Sequence, residues 1–163
     1  MEMAIQFISQ YGYAAIVALL ALGIIGLPIP DETLMVFVGY LSSLHVLNYL
    51  LVLLFSFIGS VAGMTISYTI GRKLGYSIIH KCGKWVGLTP KRYRKVRKWF
   101  AKYGVWTVFL SYFIPGVRHA AGYISGITVM PFKKYILLCC IGAAVWTVLF
   151  VSIGYFVGNK FSF

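Results

Sequence analysis

Two short stretches of this 163-residue chain hold the side chains that could do chemistry in an otherwise apolar sequence. The first is Asp31-Glu32, two of its three acidic residues, directly after the turn Pro28-Ile29-Pro30. The second is Arg118-His119, after Pro115-Gly116. Carboxylates inside a membrane face a cavity or a partner and commonly mark ion or proton pathways, so either acid could carry a proton. For Asp31 a second reading stands beside this one: it only caps a helix starting near Thr33, as an acidic residue after a proline turn often does. Arg118 presents a planar guanidinium, which grips phosphate through two parallel hydrogen bonds. Backbone amides exposed after Pro115-Gly116 would add to such an anion site. Its alternative is a structural ion pair with Glu32 or Asp31 that ties two segments together. His119 could relay protons, or it could simply bond locally.

Catalytic signatures are missing. HExxH, GxSxG and GxxxxGK[ST] do not occur, which leaves metallopeptidase, serine hydrolase and P-loop ATPase unsupported. No enzyme is expected, and energy for any transport would come from a gradient. Cys82, Cys139 and Cys140 lack metal-type spacing and are expected to be reduced, so neither a metal nor another cofactor is expected.

The elements that must position these residues are membrane elements. With 60% hydrophobic residues, 11% charged residues and a mean hydropathy of +0.85, the chain has more apolar surface than one small soluble core could bury. It reads as an all-α protein of a cell membrane. Residues 1–10 have no basic n-region and carry Glu2, and no cleavage site precedes the Pro-x-Pro turn, so the first apolar stretch is read as mature structure. Residues 47–71 and 135–158 are uncharged and, at about 1.5 Å per residue, long enough to cross a hydrocarbon core of about 30 Å.

The other two apolar regions, 11–40 and 104–127, are each broken midway by proline and charge. A helix broken at membrane depth survives only where protein or a water-filled cavity satisfies its freed backbone groups. Both regions are therefore expected to be re-entrant helical hairpins, with breaks at Pro28, Pro30, Pro115 and Gly116. Lys102 before the second hairpin and Lys133-Lys134 after it place both its ends on the cytoplasmic side. For the first, residues 11–29 alone could span.

The halves resemble each other at an offset of 83 residues: Gly39-Tyr40-Leu41-Ser42 aligns with Gly122-Tyr123-Ile124-Ser125, Gly59 with Gly142, Gly71 with Gly154, and Gly75 with Gly158. Tyr11-Gly12 resembles Tyr103-Gly104 at a different offset, which makes the first hairpin the longer. The chain is thus expected to be a single domain over 1–163, with repeat one over about 11–75 and repeat two over about 103–158. One spanning helix separates equivalent points, so the copies should be inverted. A basic interfacial linker, about 76–102, joins them.

Net charge is +12, and 11 of the 15 basic residues lie between Arg72 and Lys102. Beside membrane helices such a cluster points to anionic lipid at the cytoplasmic face, at about 1 kcal/mol per residue, rather than to nucleic acid. Thr89-Pro90 supplies an N-cap and first-turn proline. The helix that follows should lie on lipid through Val96, Phe100 and Tyr103, with Trp99 beside them and Lys91, Arg92, Arg94, Lys95, Arg97 and Lys98 outward.

These residues resemble the DedA family, also called the SNARE-associated or VTT-domain superfamily. The likeness rests on "LPIPDE", "FIPGVRHAAGYISGITVMPFKKY" and "IGAAVWTVLFVSIGYFVG", and covers nearly the whole chain. It implies two opposed re-entrant hairpins and lipid translocation, with undecaprenyl phosphate and phospholipids as suggested substrates and the proton motive force as a proposed drive. Glu32 matches the family's acidic residue after Pro-x-Pro, and Arg118 the second arginine of its R-x-x-P-x-x-R pattern. Tyr112 stands where many members carry the first arginine, and Gly23 where many carry a glutamate. One arginine with two acids suits a zwitterionic headgroup better than a lone phosphate. The expected function is therefore a flippase or scramblase for phosphatidylethanolamine, its substrate-binding residues being Asp31, Glu32, Tyr112, Arg118 and His119. Alternatives are an undecaprenyl phosphate translocase, a proton-coupled ion or drug transporter, and a non-catalytic membrane scaffold. Four apolar segments enclose little volume, which makes a homo-oligomer plausible.

Overall fold

A computed structural model describes residues 2–26, 30–81, 83, 84 and 89–161, with the side chains of 2–9, 78 and 161 left out. Pro28, expected at the first break, and Cys82 lie outside the described residues. Every described element is a helix. Two of them, α3 (Tyr49–Leu74) and α8 (Phe132–Phe161), are long and apolar enough to cross a membrane. Both run past the expected spans at their basic ends, where Arg72 and Lys73 close α3 and Lys133 and Lys134 open α8. Long basic side chains can extend a membrane helix in this way, because their stems stay apolar while the charge reaches water. Asn48 caps α3, its side chain accepting from the amides of Leu50 and Leu51.

The two long helices are antiparallel. At one end the Tyr49 hydroxyl lies 2.8 Å from Ser152 Oγ. At the other, Tyr135 donates to the Met64 carbonyl at 2.7 Å and stacks on Tyr68. Every shorter apolar helix is placed by this pair. The first, α1 (Glu2–Ile25), runs beside α3 in the same direction, with Tyr13 near Phe55, Gly59 against Val17, and Gly63 against Ala21 and Ile24. It stops level with Gly63, halfway along α3. The chain then reverses, and α2 (Asp31–Ser43) returns along α8, with Gly39 against Val151 and Gly158 against Ser43.

A short basic-ended helix, α4 (Ser77–Lys81), and then α5 (Pro90–Tyr103) follow α3. After one 3₁₀ turn at Gly104–Trp106, α6 (Thr107–Ser111) climbs to the same halfway level, where Tyr112 meets Ser60 and Gly142. From there α7 (Val117–Ile127) returns along α3, with Gly122 against Ser67 and Gly126 against Tyr68. A Cβ at Gly39, Gly154, Gly71 or Gly126 would fall on the backbone of the facing helix, so small residues set how close these helices come. Helices α2 and α7 also end alike. Each closes on a non-glycine residue at positive φ, His45 at 58° and Val129 at 54°, with the next amide returning to Leu41 or Ser125.

Helix α5 begins as expected, with Thr89 Oγ1 accepting from the Arg92 amide at 3.3 Å. Its apolar stripe differs from the expected one. Tyr93 and Val96 are buried and Phe100 half-buried against Val117, Ala120 and Ala121 of α7, whereas Tyr103 is exposed. Protein rather than lipid covers that stripe, and Tyr103 lies beyond the contact with α7. The basic residues from Lys91 to Lys98 all remain exposed.

Candidate functional site

The interruptions of the two short-helix pairs meet at the halfway level, and the charged residues meet there too. Arg118 lies in the first turn of α7 and Asp31 opens α2. Arg118 Nη2 donates to Asp31 Oδ2 at 2.6 Å, and Arg118 Nη1 lies 3.3 Å from Glu32 Oε1. Asp31 is wholly buried, Arg118 is 2% exposed and Glu32 is 31% exposed. Helical geometry explains the difference, since neighbouring residues on a helix point about 100° apart. Asp31 points inward and Glu32 towards the edge.

One reading of the sequence is decided by this geometry. Asp31 is not a helix cap: the N-cap position of α2 is Pro30, with no side-chain cap bond, and the Asp31 carboxylate is spent on Arg118. His119 donates from Nδ1 to the Ile24 carbonyl at 3.2 Å. Beside it Tyr123 donates to the Ile25 carbonyl at 2.5 Å. These side chains satisfy carbonyls left open where α1 ends.

The charges do not balance. One guanidinium faces two carboxylates, and among the described residues Asp31 Oδ1, Arg118 Nε and Arg118 Nη1 find no hydrogen-bond partner. The acids gain from the positive end of α2, whose first turn they occupy. Helix α7 has no acid in its first turn, so its positive end adds to Arg118. Such an arrangement can hold a molecule carrying both signs of charge: an anion on the arginine side and a cation near the partly exposed Glu32.

Tyr112 is placed differently from the expected site residue. Its hydroxyl accepts from Ser60 Oγ at 3.4 Å and lies 3.2 Å from the Cys139 thiol, turned into the α3–α8 pair. Cys139 and Cys140 are free. The second break carries an unexpected basic neighbour. Gly116 adopts the left-handed conformation, φ 79°, and a Cβ there would sit 3.5 Å from the Arg92 guanidinium carbon. Arg92 and Lys95 thus line a small cavity of about 80 Å³ with Pro115, Gly116 and Val117, while Lys91, Arg94 and Lys98 keep to the open surface. Pro30 and Pro115 are both exposed.

Two further residues join the site: Gly23, which the sequence marks only as standing where many family members carry a glutamate, and Trp146, which it does not single out. Gly23 faces the Asp31 carboxylate so closely that a Cβ would collide with it. Trp146 lies beneath Arg118, whose guanidinium carbon is 4.4 Å from the indole centroid. The spacing Gly142-x-x-x-Trp146, one turn of a single helix face, is the available signal for the latter.

The VTT domain matches residues 29–156. The chain is 53% identical to the uncharacterized membrane protein YbfM of Bacillus subtilis, over 97% of this chain and 98% of that one. It is 30% identical to a Lactococcus lactis protein named alkaline phosphatase-like, over 98% of this chain and 77% of that one. It is 32% identical to undecaprenyl phosphate transporter A of Staphylococcus aureus, over 96% and 79%. No solved structure matches the chain. The chain belongs to the VTT-domain family, also called the DedA family, and is a protein of the bacterial membrane.

Proposed function

We propose that this protein is a lipid translocase that moves the headgroup of phosphatidylethanolamine across the cytoplasmic membrane while the acyl chains stay in hydrocarbon. The observation that carries this reading is the cluster of one guanidinium and two carboxylates where the two breaks meet. Arg118 suits the lipid phosphate and Glu32 the ammonium. A site with two acids repels a doubly charged phosphate monoester, which weighs against undecaprenyl phosphate despite the name of the Staphylococcus relative.

The same arrangement supports two inverted repeats. Helices α1 and α2 form one re-entrant hairpin, and α6 and α7 the other. Their approach to the halfway level from opposite ends of the α3–α8 pair supports this, as do the exchanged contacts of Gly39 with α8 and Gly122 with α3. A headgroup would pass from one hairpin break to the other through the edge that Glu32 occupies. Proton uptake by an acid of the cluster would release Arg118 and couple the passage to the proton motive force.

The test compares outer-leaflet phosphatidylethanolamine and undecaprenyl phosphate in cells with and without the protein. A change in phosphatidylethanolamine alone is expected. A change only in the prenyl lipid reverses the choice of substrate, and no change in either sinks the translocase.

A further inference from the structure

Trp146 and Arg118 form a contact that the ion pair does not require. The guanidinium lies over the indole face at 4.4 Å, and Trp146 is completely buried. Its ring is braced by Tyr112 at 6.1 Å and Phe150 at 5.6 Å between centroids. The bracing depends on Gly142, since a Cβ there would collide with the Tyr112 ring. Among the described residues no group accepts from the indole N–H. Ring packing holds Trp146, and its face meets Arg118.

That face is well suited to the task. Tryptophan attracts a guanidinium more strongly than the other aromatic rings do, and removal from water strengthens the attraction. A guanidinium stacked on a ring is held perpendicular to the plane in which it makes its hydrogen bonds. To hold a phosphate in place of a carboxylate, Arg118 donates to new oxygens within that plane, where Nε and Nη1 have hydrogens to spare. Through such an exchange the ring contact can persist unbroken. We propose that Trp146 is a positioning residue of the headgroup site, holding the Arg118 guanidinium by its face while a lipid phosphate replaces a carboxylate at its edge. This inference rests on the lipid reading above and adds a residue to it.

The experiment replaces Trp146 alone with mono-, di- and trifluorotryptophan in the full chain, reconstituted in phosphatidylcholine vesicles with acyl-labelled phosphatidylethanolamine. Fluorine drains the ring's π density and leaves its shape nearly unchanged, so packing is held constant. The mole fraction of labelled lipid giving half-maximal flux should rise about two- to threefold per fluorine, with maximal flux held within about twofold. Trp146→Leu, which keeps bulk without a π face, should raise it by about tenfold or more. A purely structural Trp146 predicts a flat fluorine series, and that result overturns the proposal while flux by the unsubstituted protein leaves the lipid reading intact. Absence of lipid flux in the unsubstituted protein overturns the lipid reading itself, and the positioning role falls with it.

Discussion

Asp31 and Glu32 are neighbours in sequence, yet their surroundings give them different work. The Asp31 carboxylate fits between Gly23 and Arg118; removing Arg118 would leave Asp31 buried without a charged partner, and removing Asp31 would leave Arg118 only its longer contact to Glu32. Breaking such a pair from one side costs roughly 3–5 kcal/mol. Asp31→Asn and Arg118→Met should each lose stability on this scale, measured by thermal unfolding in detergent. The double variant Asp31→Leu with Arg118→Met should recover most of the loss, because a buried ion pair replaced as a whole by apolar groups is often neutral. Glu32 is partly exposed and sits at 3.3 Å from the guanidinium, so Glu32→Gln should cost no more than about 1 kcal/mol. Lipid flux should nonetheless fall sharply in Glu32→Gln. Normal flux in that variant removes Glu32 from the site, and a large loss of stability makes it a structural ion pair.

At the scale of helices, glycines decide how the pieces lock. Gly71 lies against the Tyr123 carbonyl and Gly154, its equivalent 83 residues on, against the Val36 carbonyl. A methyl group at either position must push two helices apart, and overpacking of this kind costs about 1–3 kcal/mol. Gly71→Ala and Gly154→Ala should therefore destabilise to a similar degree. Gly104→Ala meets only open space, and its cost is the strain of a backbone, φ 59° and ψ −138°, that side-chain-bearing residues rarely adopt, about 1–3 kcal/mol. Unequal losses at Gly71 and Gly154 in unfolding midpoints would count against equivalent packing in the two halves. The same glycines made much of the fold legible in the sequence, together with the uncharged length of the two spans and the prolines beside charges. Other features were not legible, for physical reasons. Amphipathic spacing gives α5 an apolar face but does not say whether lipid or α7 covers it. Helix α8 is apolar on all sides, so no periodicity singles out the face on which Trp146 meets Arg118. The sequence leaves the Arg118 partner open between Asp31 and Glu32, because which of two adjacent acids turns inward depends on the start of α2.

The whole molecule is polarised by charge along the α3–α8 pair. Arg72, Lys73, Lys133 and Lys134 stand at one end of that pair, on the side to which α5 is connected. Tyr49, Ser152 and the end of α2 stand at the other, where Lys160 closes α8. The positive-inside rule puts the first end in the cytoplasm. Two equivalent turns then separate: His45, after α2, should face the outside, and Val129, after α7, the cytoplasm, both residues being exposed. Single cysteines at these positions, in a chain with its native cysteines replaced, report this directly. An impermeant maleimide on intact cells should label His45→Cys, and Val129→Cys only after the membrane is opened. Cysteines at Pro30 and Pro115 should also react, because a headgroup path needs water at both breaks. Labelling of positions 45 and 129 from the same side would make the halves parallel rather than opposed. Two hairpins entering from one face could still join Arg118 to Asp31, but a headgroup bound between them would have no exit on the other.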